Sequence, residues 1–234
     1  MSIWQLIRED FATVKKNDPA LRSHFELLFN YPGVWALFFY RISHGFYRRN
    51  FRRLARFISA VGQFLTAVDI HPGAQIGRRV FIDHATGVVI GETAVVGNDV
   101  LIYQQVTLGG VSLSRGKRHP TVEDNVIIGA GAKVLGNITI GRDSKIGANS
   151  VVIRDVPAGC TAVGVPARVA QRVDGKAPLS HNIMPDVNRE VFEYLLKRIA
   201  VLEHTLKSGD LETMEKADHE LDEVYRNFID AMKR

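Results

Sequence analysis

The chain has 234 residues, 46% hydrophobic and 24% charged, with 30 Lys and Arg against 25 Asp and Glu for a formal net charge of +5. This composition excludes intrinsic disorder and suffices for a real core. The longest apolar stretches, 34–40 and 58–68, fall short of the roughly 20 residues that cross a bilayer. A single cysteine excludes an internal disulfide framework, and Met1-Ser2-Ile3-Trp4-Gln5 lacks the layout of a signal peptide, so a cytoplasmic protein is expected.

Residues 1–68 predict an N-terminal helical domain. Trp4, Ile7, Phe11 and Val14 follow three-four-three spacing, Asn17-Asp18-Pro19 breaks it, Pro32 opens another helix, and apolar helical stretches follow at about 33–47 and 51–67. The run Arg48-Arg49-Asn50-Phe51-Arg52-Arg53-Leu54-Ala55-Arg56 could attract nucleic acid or anionic lipid. No nucleic-acid motif accompanies it, so it reads as the solvated face of a helix, with neither nucleic acid nor membrane expected as a partner.

From Ile70 to Val152 an aliphatic residue or Ala recurs at every sixth position: Ile70, Ile76, Ile82, Val88, Ala94, Val100 and Val106, then Val122, Ile128, Val134, Ile140, Ile146 and Val152. A helix repeats about every 3.6 residues and a strand every two, so this beat calls for a coil with flat sides and one inward residue per side. Three such sides close a parallel β-helix coil in about 18 residues, which predicts a β-helix domain over 69–170. It ends in Gly164-Val165-Pro166-Ala167-Arg168, where Pro stops ladder pairing. The interval from Val106 to Val122 holds ten extra residues, placed at 110–119, and long excursions from a repeat usually serve a site. Cys160 lacks a catalytic signature and reads as a buried, inert thiol. After a polar linker at 171–184, apolar residues recur at three-four spacing over 185–234 around a break at Ser208-Gly209-Asp210, predicting a helical hairpin or coiled-coil tail.

Two polar runs lie within the beat, Asp69-Ile70-His71-Pro72 and Asp83-His84-Ala85-Thr86-Gly87. In a coil of about 18 residues, His84 falls about three residues short of a full circuit from Asp69, close enough for a His–Asp pair. In such a pair the carboxylate fixes the imidazole tautomer while the other nitrogen takes a proton. His71 reads as a structural histidine. At the end of the inserted loop, Arg118-His119-Pro120 sets a cation beside a turn-forming proline, which suits a substrate carboxylate. A zinc site drawn from His71, His84 and His119 is the metal alternative, but no histidines stand five residues apart as in prisms that hold zinc this way, and no metal is expected.

Together residues 69–72, 83–94, Thr107-Leu108-Gly109-Gly110, Arg118-His119-Pro120 and residues 128–133 resemble the serine O-acetyltransferases, a hexapeptide-repeat acyltransferase family, over roughly residues 10–170. The resemblance implies an α+β fold, a left-handed parallel β-helix with an N-terminal helical domain and a C-terminal helical tail. It implies acetyl transfer from acetyl-CoA to the hydroxyl of L-serine, giving O-acetyl-L-serine and CoA, the first step of cysteine synthesis from serine. On matching positions, His84 is the general base and Asp69 orients it, Asp18 and Asp83 hold the substrate ammonium, and Arg118 and His119 hold its carboxylate. Acetyl-CoA is a co-substrate and no cofactor is permanently bound; Gly110 matches the thioester end, Ala130 and Ala148 the pantetheine, and Lys145 the phosphates.

The resemblance also implies a homotrimer with shared sites and L-cysteine as a feedback inhibitor. Members that pair trimers into hexamers use a long helical extension before the region matching Asp10, and those that dock into cysteine synthase end in Ile. This chain has nine residues before Asp10 and ends Ala231-Met232-Lys233-Arg234, so the hexamer is left open and such docking is expected to be weak or absent. The alternatives are an acetyltransferase of the same prism acting on a sugar or other hydroxyl, and a non-catalytic scaffold. The scaffold gives no reason for the set Asp69, His84, Arg118 and His119.

Overall fold

A computed structural model describes residues 2–23, 25–172, 192, 194–200 and 202. Three helices come first: α1 (Ile3–Asn17), α2 (Pro32–Arg48) and α3 (Arg52–Thr66), with a single 3-10 turn at Glu26–Leu28. Ser2 and Gln5 form a capping box that satisfies free N–H groups at the start of α1, and Pro32 opens α2 where its missing N–H costs nothing. Of the α1 seam, Ile7 and Val14 are buried but Trp4 is exposed. The buried face of α3 is made of small residues, Ala55, Ser59, Gly62 and Thr66, so α3 lies close to α2; a Cβ on Gly62 would sit 2.7 Å from the Phe39 Cβ.

The repeat forms a left-handed parallel β-helix of three sides. The first side stacks Asp69–Ile70, Val89–Ile90, Thr107–Gly109, Lys133–Leu135 and Val151–Val152; the second stacks Gln75–Ile76, Val95–Val96, Thr121–Val122 and Thr139–Ile140. The third stacks Phe81–Ile82, Leu101–Ile102, Ile127–Ile128, Lys145–Ile146 and Cys160–Gly164, and closes with the antiparallel strand Ala167–Arg172, so Pro166 stands in a hairpin turn and the ladder continues beyond it. Cys160 is partly exposed, not buried as expected.

Strand register corrects the beat. Ile70 pairs with Ile90 and Ile82 with Ile102, each 20 residues on, whereas Ile90 pairs with Leu108 and Val122 with Ile140, each 18 on. Val96 pairs with Val122 and Leu108 with Val134, each 26 residues on. A plain circuit is therefore 18 residues, two extra residues enter between Ile82 and Ile90, and eight enter between Leu108 and Val122. The ten extra residues expected at 110–119 are thus divided, and two of them fall in the polar run at 83–87. The physical reason is that each side buries two positions, one in the strand and one two residues earlier at the corner: Val80 and Ile82, Val88 and Ile90, Val100 and Ile102, Val106 and Leu108. The expected series follows strand positions as far as Ile82, corner positions from Val88 to Val106, and strand positions again from Val122. Each such buried aliphatic side chain contributes about 1.5–3 kcal/mol, which keeps the stack in register.

The chain divides into two units, Met1–His181 and Asn182–Arg234. In the second, residues 192, 194–200 and 202 are helical, with Leu195, Leu196 and Ile199 exposed. The rest of the expected linker and of the hairpin or coiled-coil tail lies outside the described residues, apart from strand residues 171 and 172. Among the described residues, no helix is long and apolar enough to cross a membrane.

Candidate active site

The corner joining the third side to the first carries His84. Single residues at other corners of the prism, among them Arg79, Asp99, Gln105 and Asn149, take left-handed backbone, and the insertion sets two in succession, His84 at φ 54° and Ala85 at φ 31°. The His84 side chain is 74% exposed, with Nε2 3.9 Å from Asp83 Oδ1. Burial holds the Asp83 carboxyl above its ordinary range; the nearby Asp18 charge adds to the effect and His84 opposes it.

Asp18 reaches this corner from the helical domain. It caps the C-terminus of α1, its Oδ1 accepts from the Ala20 N–H at 2.7 Å, and its Oδ2 accepts from the Tyr31 hydroxyl at 2.7 Å. Burial and the bond to Asp18 push the Tyr31 phenol up to about 12, so it stays a donor. The start of α2 can lie against the third side because Gly33 has no side chain; a Cβ there would be 2.1 Å from the Ile82 carbonyl oxygen. Asp18, Asp83 and His84 are therefore brought together.

Asp69 is not joined to His84. It opens the first side, its N–H donates to the Val88 carbonyl at 2.9 Å, and among the described residues no hydrogen bond or ion pair links the two side chains. The longer first circuit is the reason: Asp69 pairs with Val89, five residues past His84, where the expected 18-residue circuit leaves three.

The next corner, from the first side to the second, holds Arg118 and His119. Counted back from the paired strands Val95–Val96 and Thr121–Val122, Glu92 stacks on Arg118 and Thr93 on His119. Arg118 Nη2 donates to Glu92 Oε2 at 2.6 Å, and the Tyr47 hydroxyl of α2 donates to Glu92 Oε1 at 3.1 Å. The bond from Arg118 holds the Glu92 carboxyl below its ordinary range. His119 is 8% exposed and packs over Gly91, where a Cβ would lie 2.0 Å from its Cδ2. Burial, followed by the Arg118 charge, lowers its proton affinity. His84 and His119 thus stand at opposite edges of the first side. His71 shares the His119 corner, with Nδ1 accepting from the Gly73 N–H at 2.9 Å, a structural contact.

By register and by the repeated bonds of the Gln105, Gly131 and Asn149 N–H groups to the Thr86, Gln104 and Ala130 carbonyls, Thr86, Gln104, Ala130 and Ala148 occupy one column, with His84 among the inserted residues of the same corner, and Tyr103 stacks on Asp83. Lys145 lies on the third side near Ala148, whereas Gly110 lies at the other corner, where a Cβ would be 3.2 Å from His119 Nε2. Tyr31, Glu92, Thr93 and Tyr103 are not among the expected site residues: coil stacking sets Glu92 on Arg118, Thr93 on His119 and Tyr103 on Asp83, and Tyr31 meets Asp18 across the connection between α1 and α2. Among the described residues, no group of three or more His, Cys, Asp or Glu is arranged to hold a metal ion.

Residues 119–154 match the bacterial transferase hexapeptide family of six repeats. The chain is 49% identical to a serine acetyltransferase of Synechococcus elongatus over 92% of its own length and 88% of the relative's. It is similar in structure to a serine acetyltransferase in complex with cysteine, with a TM-score of 0.72, 44% identity and coverage of 78% of this chain and 70% of that one. The soybean serine acetyltransferase complexed with serine gives a TM-score of 0.69, 47% identity and coverage of 72% and 70%. A serine acetyltransferase in complex with CoA gives 0.67, 46%, and coverage of 72% and 70%.

Proposed function

We propose, for a chain that belongs to the serine acetyltransferase family and transfers acetyl from acetyl-CoA to L-serine in cysteine biosynthesis, that His84 is the general base of a direct transfer. The observation that carries this assignment is the exposed His84 imidazole on the inserted corner beside the carboxylates of Asp83 and Asp18. A hydroxyl is a poor nucleophile near neutral pH, whereas a thioester is already activated, so one base is what the reaction lacks. His84 takes the serine hydroxyl proton as the oxygen attacks the acetyl carbonyl carbon. The tetrahedral intermediate then collapses with loss of the CoA thiolate, which recovers that proton from the imidazolium.

Asp83 and Asp18 supply negative charge for the substrate ammonium, while Arg118 and His119 supply donors for its carboxylate. The exposed His84 ring can turn, and pairing with Asp69 is proposed as a contact made with substrate bound. Ala130 and Ala148 give the pantetheine a column without bulky side chains beside His84, with Lys145 toward the phosphates and Gly110 toward the thioester. Because the two halves of this machinery stand at opposite edges of one side, adjacent protomers of a homotrimer would combine them. L-cysteine, which differs from serine in the side-chain atom alone, is proposed to compete in the same site.

The test is CoA-thiol release by purified protein with acetyl-CoA and L-serine, homoserine or a sugar. Release is expected with L-serine and not with the sugar, and Asp18→Ala should raise the serine concentration required. Equal release with a sugar would favour a different acceptor, and no release with serine would refute the reading.

A further inference from the structure

We propose that Thr93 is a positioning residue that fixes His119 as its Nε2–H tautomer, making it a hydrogen-bond donor toward the acceptor and not a base. This rests on the reading that His119 contacts the acceptor carboxylate. Thr93 Oγ1 accepts from the N–H groups of Arg118 at 3.0 Å and His119 at 3.1 Å, which fills its two lone pairs. Its one proton then has His119 Nδ1 within reach at 2.9 Å. The Thr93 backbone N–H, which can only donate, also reaches Nδ1 at 3.2 Å. Two donors on Nδ1 leave no place for a proton there, so the neutral ring carries its proton on Nε2.

Nε2 points where side chains are missing, since a Cβ on Gly91 or Gly110 would fall 2.1 or 3.2 Å from it. Forming the imidazolium would put a proton on Nδ1 against both Thr93 donors. The charges around the ring are Arg118 and Lys117 on its own loop, which oppose protonation, and Glu92 on the adjacent coil, which favours it. The ring can therefore give a hydrogen bond but has no outward lone pair with which to take a proton. That separates the two histidines by role: the base is His84.

The experiment compares full-length wild type, Thr93→Val, Thr93→Ser and His119→Ala, using 15N-histidine correlation spectra to read protonation at each ring nitrogen and steady-state kinetics for serine and acetyl-CoA. The His119 signals are identified by their loss in His119→Ala. Wild type and Thr93→Ser should show Nδ1 bare and Nε2 protonated. Thr93→Val should show Nδ1 partly protonated and a serine KM raised several-fold, by a larger factor than the acetyl-CoA KM, with Thr93→Ser restoring both readouts. A Thr93→Val protein with the wild-type tautomer and serine KM, or a Thr93→Ser protein as impaired as Thr93→Val, overturns the proposal. A wild-type serine KM in His119→Ala instead overturns the acceptor contact, and the spectra of the Thr93 variants still decide the tautomer.

Discussion

At the residue scale, the proposed base and its neighbours make separable predictions. His84→Ala should lower kcat by about 10²–10⁴-fold, the usual contribution of general-base catalysis, with unchanged folding by circular dichroism. Asp83 is held above the ordinary carboxylate range by burial and then by Asp18. On acidification it therefore gives up its charge at a higher pH than an ordinary aspartate, and a substrate ammonium held as proposed would lose that partner sooner. Asp18→Asn removes the like charge, so the Asp83 carboxyl carbon, followed by 13C NMR, should titrate at lower pH than in wild type; an unchanged or higher midpoint would contradict the coupling. Asp18 and Asp83 were legible as a pair only through the family resemblance, since they stand far apart in the chain and no periodicity joins them. Thr93 was not, because its partners Arg118 and His119 lie 25 and 26 residues away and only coil register stacks them.

At the element scale, one buried guanidinium ties α2 both to α1, through an ion pair, and to the prism, through carbonyls. Arg41 donates to both carboxylate oxygens of Asp10 on α1, and to the carbonyls of Ile76 and Gly77 on the prism. Burial raises the proton affinity of Asp10 despite the opposing Arg41 guanidinium, the direction expected where charges are taken out of water. Asp10→Ala should nevertheless cost about 3–5 kcal/mol, because it leaves a buried guanidinium without its anion. The double replacement Asp10→Leu with Arg41→Met should cost less than the single one, as measured by urea unfolding. The helices were legible from apolar spacing and proline positions, and so was the six-residue beat. Its slip at residues 83–87 was hidden because each hexad buries two aliphatic positions, and a shift from one to the other leaves the apolar pattern intact.

At the scale of the whole molecule, the proposed site residues of one chain fall in two clusters. His84, Asp83 and Asp18 gather where the third side meets the first, while Arg118 and His119 gather where the first meets the second. In the proposed cyclic trimer each site takes its base from one protomer and its carboxylate donors from the next. Co-expression of His84→Ala and His119→Ala chains discriminates this arrangement from a site within one chain. With random assembly at equal amounts, a site is intact when the protomer giving the base carries the His119 change and its neighbour carries the His84 change, which is about a quarter of all sites. Assayed at serine concentrations well below KM, the mixed protein should recover about a quarter of wild-type activity, above either variant alone. A site confined to one chain cannot be rebuilt by mixing, and activity no higher than the average of the two separate variants would sink the shared site.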